Sequence, residues 1–311
     1  MRTLVFEGLV TAETSIYHGS GESYGIETLF RREKIVQPDG AVEEVPIISG
    51  NAIRGILRDC GMLFMCREIG LTEMPLMSFY TLFSGGALTG SSEGVDLDEA
   101  RRLRELIPLL SVFGAAIGGR ILNGKLRVGK LIPICRETLH LLPERFYEAA
   151  TARVSCYELL QQETYTRRDD EKNERLRMLI EPEARRMLED PATRDLARQQ
   201  AGMRSAQQMR YIVETIAAGT HFYWRIELED VTDIEFAAFL TALLEFHRNP
   251  VIGGRGAVGH GRLRIRLEYP WKEISEVRVE TREVDVPPIT RYVQHLQAHS
   301  DEIRELLLSL R

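Results

Sequence analysis

Five of the nine residues from Gly253 to Gly261 are glycine, and the run stands between an apolar helix pattern and an apolar strand pattern. Without Cβ atoms the backbone takes positive φ freely and brings its N–H groups close to an anion or to another main chain. Gly254-x-Gly256-x-x-Gly259 has the letters of a dinucleotide fingerprint. That fingerprint requires a strand before it and a helix after it. Here the order is reversed, which excludes a nucleotide-cofactor fold. The run serves either as a tight helix-to-strand turn or as a loop that holds a phosphate backbone, with Arg255 and His260 beside it.

The patterns around this loop define the rest. Residues 2–12 are rich in β-formers and predict a strand. A polar loop from Tyr17 to Gly25 follows, carrying His18 and Ser20. Pro38-Asp39-Gly40 predicts a hairpin within 28–48. Ser49 or Asn51 caps a helix whose Ile53, Ile56, Leu57, Cys60 and Phe64 form one stripe, with Arg54 and Arg58 on its flank. Residues 70–110 predict a surface insertion: a Gly/Ser-rich loop at 84–94, then a charged helix at 97–107. Glycine-broken strands are expected over 111–135. There Leu126, Val128 and Leu131 alternate with Lys125, Arg127 and Lys130, which predicts one core face and one basic face.

A strand over 219–229 leads to Thr232-Asp-Ile-Glu235, a capping box, and to a helix that stops at Asn249-Pro250. A last strand runs from Arg262 to Glu268, and an amphipathic helix over 289–310 packs back on the body. Strand, helix, strand, strand, helix, strand is the split β-α-β-β-α-β order of ferredoxin-like and RNA-recognition folds. The expected class is therefore α+β: one body over 1–311, with a surface insertion at 70–110. A second insertion spans 159–210, and a C-terminal extension spans 271–311. The stretch 161–210 is highly charged and poor in large apolar residues, so it reads as an excursion with little core of its own.

Charge adds a constraint on partners. The chain carries 35 Arg, 5 Lys and a net charge of −6, which argues against a uniformly basic nucleic-acid binder. The basic residues cluster in sequence: five between Gly118 and Arg136 with no acid among them, and four Arg against one Glu between Val251 and Pro270. Arginine's planar fork suits phosphate. No apolar run approaches the ~20 residues of a membrane span, and an acidic residue at Glu7 interrupts any leader core. The four cysteines form no Cys-x-x-Cys pair, so a reducing cytoplasm is the expected compartment.

A second anion site is predicted in Val45-Pro-Ile-Ile-Ser-Gly-Asn-Ala-Ile-Arg-Gly-Ile-Leu-Arg58, where a strand end, a small-residue turn and a helix N-terminus follow one another. Taken with the glycine loop, Ser49-Gly-Asn-Ala-Ile-Arg-Gly-Ile-Leu-Arg58 resembles the first-helix motif of the RAMP superfamily of CRISPR proteins. Gly253-Gly-Arg-Gly-Ala-Val-Gly-His-Gly261 resembles its glycine-rich loop. Val112-Phe-Gly114 and Glu214-Thr-Ile-Ala-Ala-Gly-Thr-His-Phe222 agree in order, and the resemblance spans about residues 2–269. It is strongest to the backbone subunit that polymerises along guide RNA, and most like the type IV branch.

The resemblance implies an RNA-recognition-type palm, with the 159–210 insertion as a thumb. It implies RNA contacts from His18, Ser20, Ser49, Asn51, Arg54, Arg58, Arg120, Lys125, Gly253, Gly254, Arg255, Gly256 and His260. In the thumb, Tyr165 would wedge between bases while Arg167 and Arg168 meet phosphates. Cleaving members carry a catalytic Asp after the first strand; here that stretch offers Glu27, with Glu22 nearby, and no Asp. The expectation is a scaffold with no catalytic residue, metal or cofactor. The alternative is a type III-like subunit that cuts target RNA with a metal. The implied partners are guide RNA, a complementary target strand, further copies of the chain, a smaller RAMP cap subunit and a helicase, with no membrane.

Overall fold

The computed structural model describes residues 2–24, 27–86, 97–117, 120–167, 181–190, 192–193, 196, 209–268 and 287–309. Its secondary structure divides into two compact units.

The larger unit comprises residues 1–19, 30–161 and 215–311. Its central sheet contains β1 (Arg2–Ala12), β8 (Leu126–Val128), β9 (Ile132–Pro133), β12 (His221–Val231) and β13 (Leu263–Glu268). The order is β13-β1-β12-β8, with β9 also on β12, and these pairings are antiparallel. α1 (Gly50–Glu68) falls between β1 and β8. The helix Asp233–Arg248 falls between β12 and β13. This connectivity is consistent with the split β-α-β-β-α-β core expected from the sequence, enlarged by insertions.

Both helices cover one face of the sheet. Leu4, Phe6 and Val10 of β1 and Phe222, Trp224, Ile226 and Leu228 of β12 point to them and are buried with Ile53, Leu57, Phe239 and Phe246. Phe6 and Phe239 meet at 5.5 Å between ring centroids. The capping box is present: the Glu235 N–H donates to the Thr232 hydroxyl, and the Thr232 N–H donates to the Glu235 carboxylate at 2.7 Å. The segment 134–152 lies over the other face, where Ile134, Leu142, Phe146 and Ala152 cluster with Tyr223. Burial on both faces explains why Phe222, Tyr223 and Trp224 are all inside. The hairpin of β4 (Arg32–Val36) and β5 (Val42–Pro46) turns at Pro38-Asp39-Gly40, as expected.

Three sequence expectations change. Residues 111–113, expected to open the glycine-broken strands, are instead the end of a helix over 108–113: Pro108 occupies its first turn, and every residue to Phe113 is buried. The strands β6 (Ala115–Ile117) and β7 (Arg120–Leu122) follow as a separate pair. The C-terminal helix is two helices, Pro287–Ala298 and Ser300–Ser309, joined at His299.

The smaller unit combines residues 20–29 with 162–214. Its sheet runs β10 (Leu160–Arg167), β11 (Met209–Ile216), β3 (Glu27–Phe30), β2 (Gly19–Tyr24), and β11 pairs parallel to β3. The excursion thus brings in strands from the loop after β1, which the sequence reading had left outside it.

Candidate nucleic-acid interface

Tyr17 and His18 join the two predicted anion sites. On one side the Gly254 N–H donates to the Tyr17 carbonyl at 2.9 Å, and the Gly261 N–H donates to the Ser15 carbonyl at 2.9 Å. Gly253 takes φ +77°, and a Cβ there would lie 2.2 Å from the Tyr17 oxygen. Only glycine permits that approach. Arg255 takes φ +61° and sets its guanidinium over the Tyr17 ring, 5.2 Å from the centroid. A non-glycine residue in that region is strained, so the loop's packing holds Arg255 in place. Gly256 opens a short turn ending at Val258. His260 is buried, with Nδ1 2.9 Å from the Ser15 hydroxyl. It anchors the loop from below.

On the other side the Ser49 N–H donates to His18 Nε2 at 3.2 Å. Ser49, not Asn51, is the N-cap of α1: its hydroxyl accepts the Ala52 N–H at 3.3 Å. Burial first, then the charge of Arg31, holds His18 below the usual imidazole range, which keeps Nε2 an acceptor. Gly50 fits because a Cβ would lie 2.2 Å from the Val128 carbonyl. Asn51 is exposed on the first turn.

Arg54 and Arg58 follow on α1. Both donate to the Phe113 carbonyl, at the C-terminus of the buried 108–113 helix. Arg58 is 7% exposed, also reaches the carbonyls of Gly114 at 2.8 Å and Leu82 at 3.3 Å, and lies over the Phe113 ring. Burial, then the charge of Arg54, pushes its pKa down to about 10. Arg58 is thus a clamp on main-chain carbonyls. Arg54 remains half-buried at the edge of the same cluster.

The basic stripe of 118–136 is largely neutralised. Lys125 holds both carboxylate oxygens of Glu235, Arg127 pairs with Glu229, Lys130 with Glu33, and Arg136 with Glu137. Arg120 lies on β7, its side chain outside the described residues. In the smaller unit Ser20 stands on β2. On β10, Tyr165 is half-buried, its hydroxyl donating to Glu163 at 2.9 Å. Arg167 ends β10, its side chain outside the described residues, and Arg168 lies outside them altogether. Glu27 opens β3 opposite Ile212, and Glu22 stands on β2. Among the described residues no group of three or more His, Cys, Asp or Glu is arranged to hold a metal ion, and no helix is long and apolar enough to cross a membrane.

No protein-family model matches the sequence, and no curated protein matches it. Among solved structures, a chain of a type IV-B CRISPR complex matches with a TM-score of 0.58 at 23% identity, over 91% of this chain and 95% of that one. The likeness to that chain is one of fold. The sequence reading missed Tyr17, Gly50 and the Phe113 carbonyl. Tyr17 carried a signal, as an aromatic beside the histidine of a polar glycine-bearing loop, and Gly50 stood in the small-residue turn of the predicted second anion site.

Proposed function

We propose that this chain is a non-catalytic, guide-RNA-binding backbone subunit of a type IV-like CRISPR effector. The observation that carries the proposal is the fold match, which runs nearly end to end in both chains. The junction at Tyr17 and His18 supports it. There a glycine loop, with Arg255 over the Tyr17 ring, is tied to Tyr17, and a capped helix N-terminus is tied to the adjacent His18. Both are surfaces suited to phosphate oxygens.

In this reading the larger unit is an RNA-recognition-type palm. Gly253, Gly254, Arg255, Gly256, Ser49, Asn51 and Arg54 meet the RNA backbone, while His18, His260 and Arg58 hold those elements in place. The smaller unit is the thumb, with Tyr165 between bases and Arg167 and Arg168 on phosphates. Copies stack head to tail into a helical filament on one guide RNA. A complementary strand, a smaller cap subunit and a helicase complete the assembly.

The test is reconstitution of purified chain with a guide-length RNA, followed by filter binding and negative-stain microscopy. RNA-dependent filaments are expected. Monomers that bind no RNA at 50 mM salt would overturn the proposal. Regularly spaced cuts in a complementary RNA, lost in Glu27→Ala, would replace the scaffold with a nuclease.

A further inference from the structure

Away from the RNA-facing junction, Cys135 and Cys156 lie together in a small apolar cluster with Ile35, Val45 and Leu159. Both thiols are fully buried. The chain doubles back between them: the Arg136 N–H donates to the Val154 carbonyl at 3.0 Å. Glu137 sits beside the pair, itself 6% exposed, accepting the Cys156 N–H and the Ser155 hydroxyl, each at 2.8 Å. Cys135 Sγ lies 3.5 Å from the Thr138 hydroxyl. The Glu137 oxygens are held by a hydroxyl and a main-chain N–H beside Cys156, which makes its burial tolerable, and nothing in RNA binding requires this arrangement.

We propose that Cys135 and Cys156 are a peroxide-oxidisable dithiol that closes to a disulfide within the folded chain. The two thiols differ in the way such a pair requires. Donation from the Cys156 S–H lowers the Cys135 thiol against the opposing effect of burial. The same bond, then burial and the Glu137 charge, raises Cys156. In this proposal Cys135 attacks and Cys156 resolves. The Cys135 thiolate attacks one oxygen of hydrogen peroxide, the O–O bond breaks, and hydroxide leaves. The sulfenic acid formed is attacked by Cys156; the S–O bond breaks, the S–S bond forms, and the Cys156 proton leaves with the hydroxyl as water. Overall, one peroxide and two thiols give one disulfide and two waters.

Glu137 also lines an open cleft of about 400 Å³ at the β4–β5 hairpin, with Gln37, Asp39, Glu43 and Arg136. Cys60 and Cys66 serve as internal controls. Burial raises both, Cys66 to about 11.

The experiment uses the full-length reduced protein, treated with hydrogen peroxide under native conditions, quenched with catalase, then alkylated with N-ethylmaleimide in denaturant. Intact mass and peptide mapping are the readouts. The expected result is a loss of 2 Da, two maleimide adducts in place of four, and a 135–156 linked peptide reversed by dithiothreitol. The oxidised form should melt roughly 5 °C higher, because the link shortens the unfolded chain. In Cys156→Ser, Cys135 should stop at the sulfenic acid and react with dimedone. Four adducts after treatment, a link to Cys60 or Cys66, or a link formed only in denaturant would overturn the proposal. The wild-type peptide map decides this even if the variant fails to fold, and it does so whether or not the chain binds RNA.

Discussion

Arg58→Met separates a clamp from a phosphate contact. The guanidinium donates to the carbonyls of Phe113, Gly114 and Leu82. Methionine keeps most of the packing volume and removes every donor. Phe113 retains Arg54, so two carbonyls lose this donor. Each orphaned buried acceptor costs about 1–3 kcal/mol. Part of that is returned, because a buried charge and its repulsion with Arg54 are also removed. The net loss is about 3 kcal/mol, which at an m-value near 3 kcal/mol/M moves the urea midpoint down by about 1 M. Arg58→Lys should fall between, since a compact ammonium cannot span the fork. Urea unfolding followed by fluorescence gives the midpoint. Filter binding of the folded protein against salt gives the slope of log K. A clamp predicts a lower midpoint with an unchanged slope. A wild-type midpoint with a slope flattened by about 0.7 would mean that Arg58 meets a phosphate.

Arg54→Ala and Arg255→Ala should each flatten the salt slope by roughly 0.7, measured by filter binding on scrambled RNA; unchanged slopes in both would misplace the groove. Gly253→Ala should cost about 3 kcal/mol in urea unfolding, because its Cβ would collide with the Tyr17 carbonyl at a positive φ. Gly55, exposed on α1 with nothing within 4 Å of a built Cβ, should accept alanine with a gain of up to about 1 kcal/mol; loss of RNA affinity in that variant would show close approach of the RNA backbone there.

The folded His18 pKa lies below its reference of 6.5. Its contribution is therefore complete above pH 6.5 and is lost as pH falls through the folded value, while the unfolded state takes up the proton. His18→Gln should reduce the dependence of the urea midpoint on pH between 7 and 5. His221, His247 and His295, also lowered by burial, contribute to what remains.

Local chemistry was readable where the chain acts on itself within a few residues. Thr232 and Glu235 announce their helix, Asn249-Pro250 ends it, and Leu126, Val128 and Leu131 alternate with their charged neighbours. Leu109 to Phe113 has no period, because all its residues are buried, so helix and strand are indistinguishable by pattern; Pro108 in the first turn was the available cue. The neutralisation of Lys125 by Glu235 joins residues far apart in sequence and leaves no local trace. The same holds for Glu27, whose strand is defined by a partner at Ile212. Tyr17 acquires its role only when the glycine loop folds onto it.

The placement of β1 has a consequence for synthesis. Its two neighbours in the sheet are residues 221–231 and 263–268, and β3 likewise waits for residues near 212. At about 5–20 residues per second on the ribosome, the first strand stands without partners for roughly 10–50 s. Its Leu4, Val5, Phe6, Leu9 and Val10 form an unpaired apolar edge during that time, the kind of segment that nascent-chain chaperones shield. A product truncated before residue 263 never gains the last strand of its central sheet. Interrupted translation would therefore yield fragments whose central sheet is incomplete.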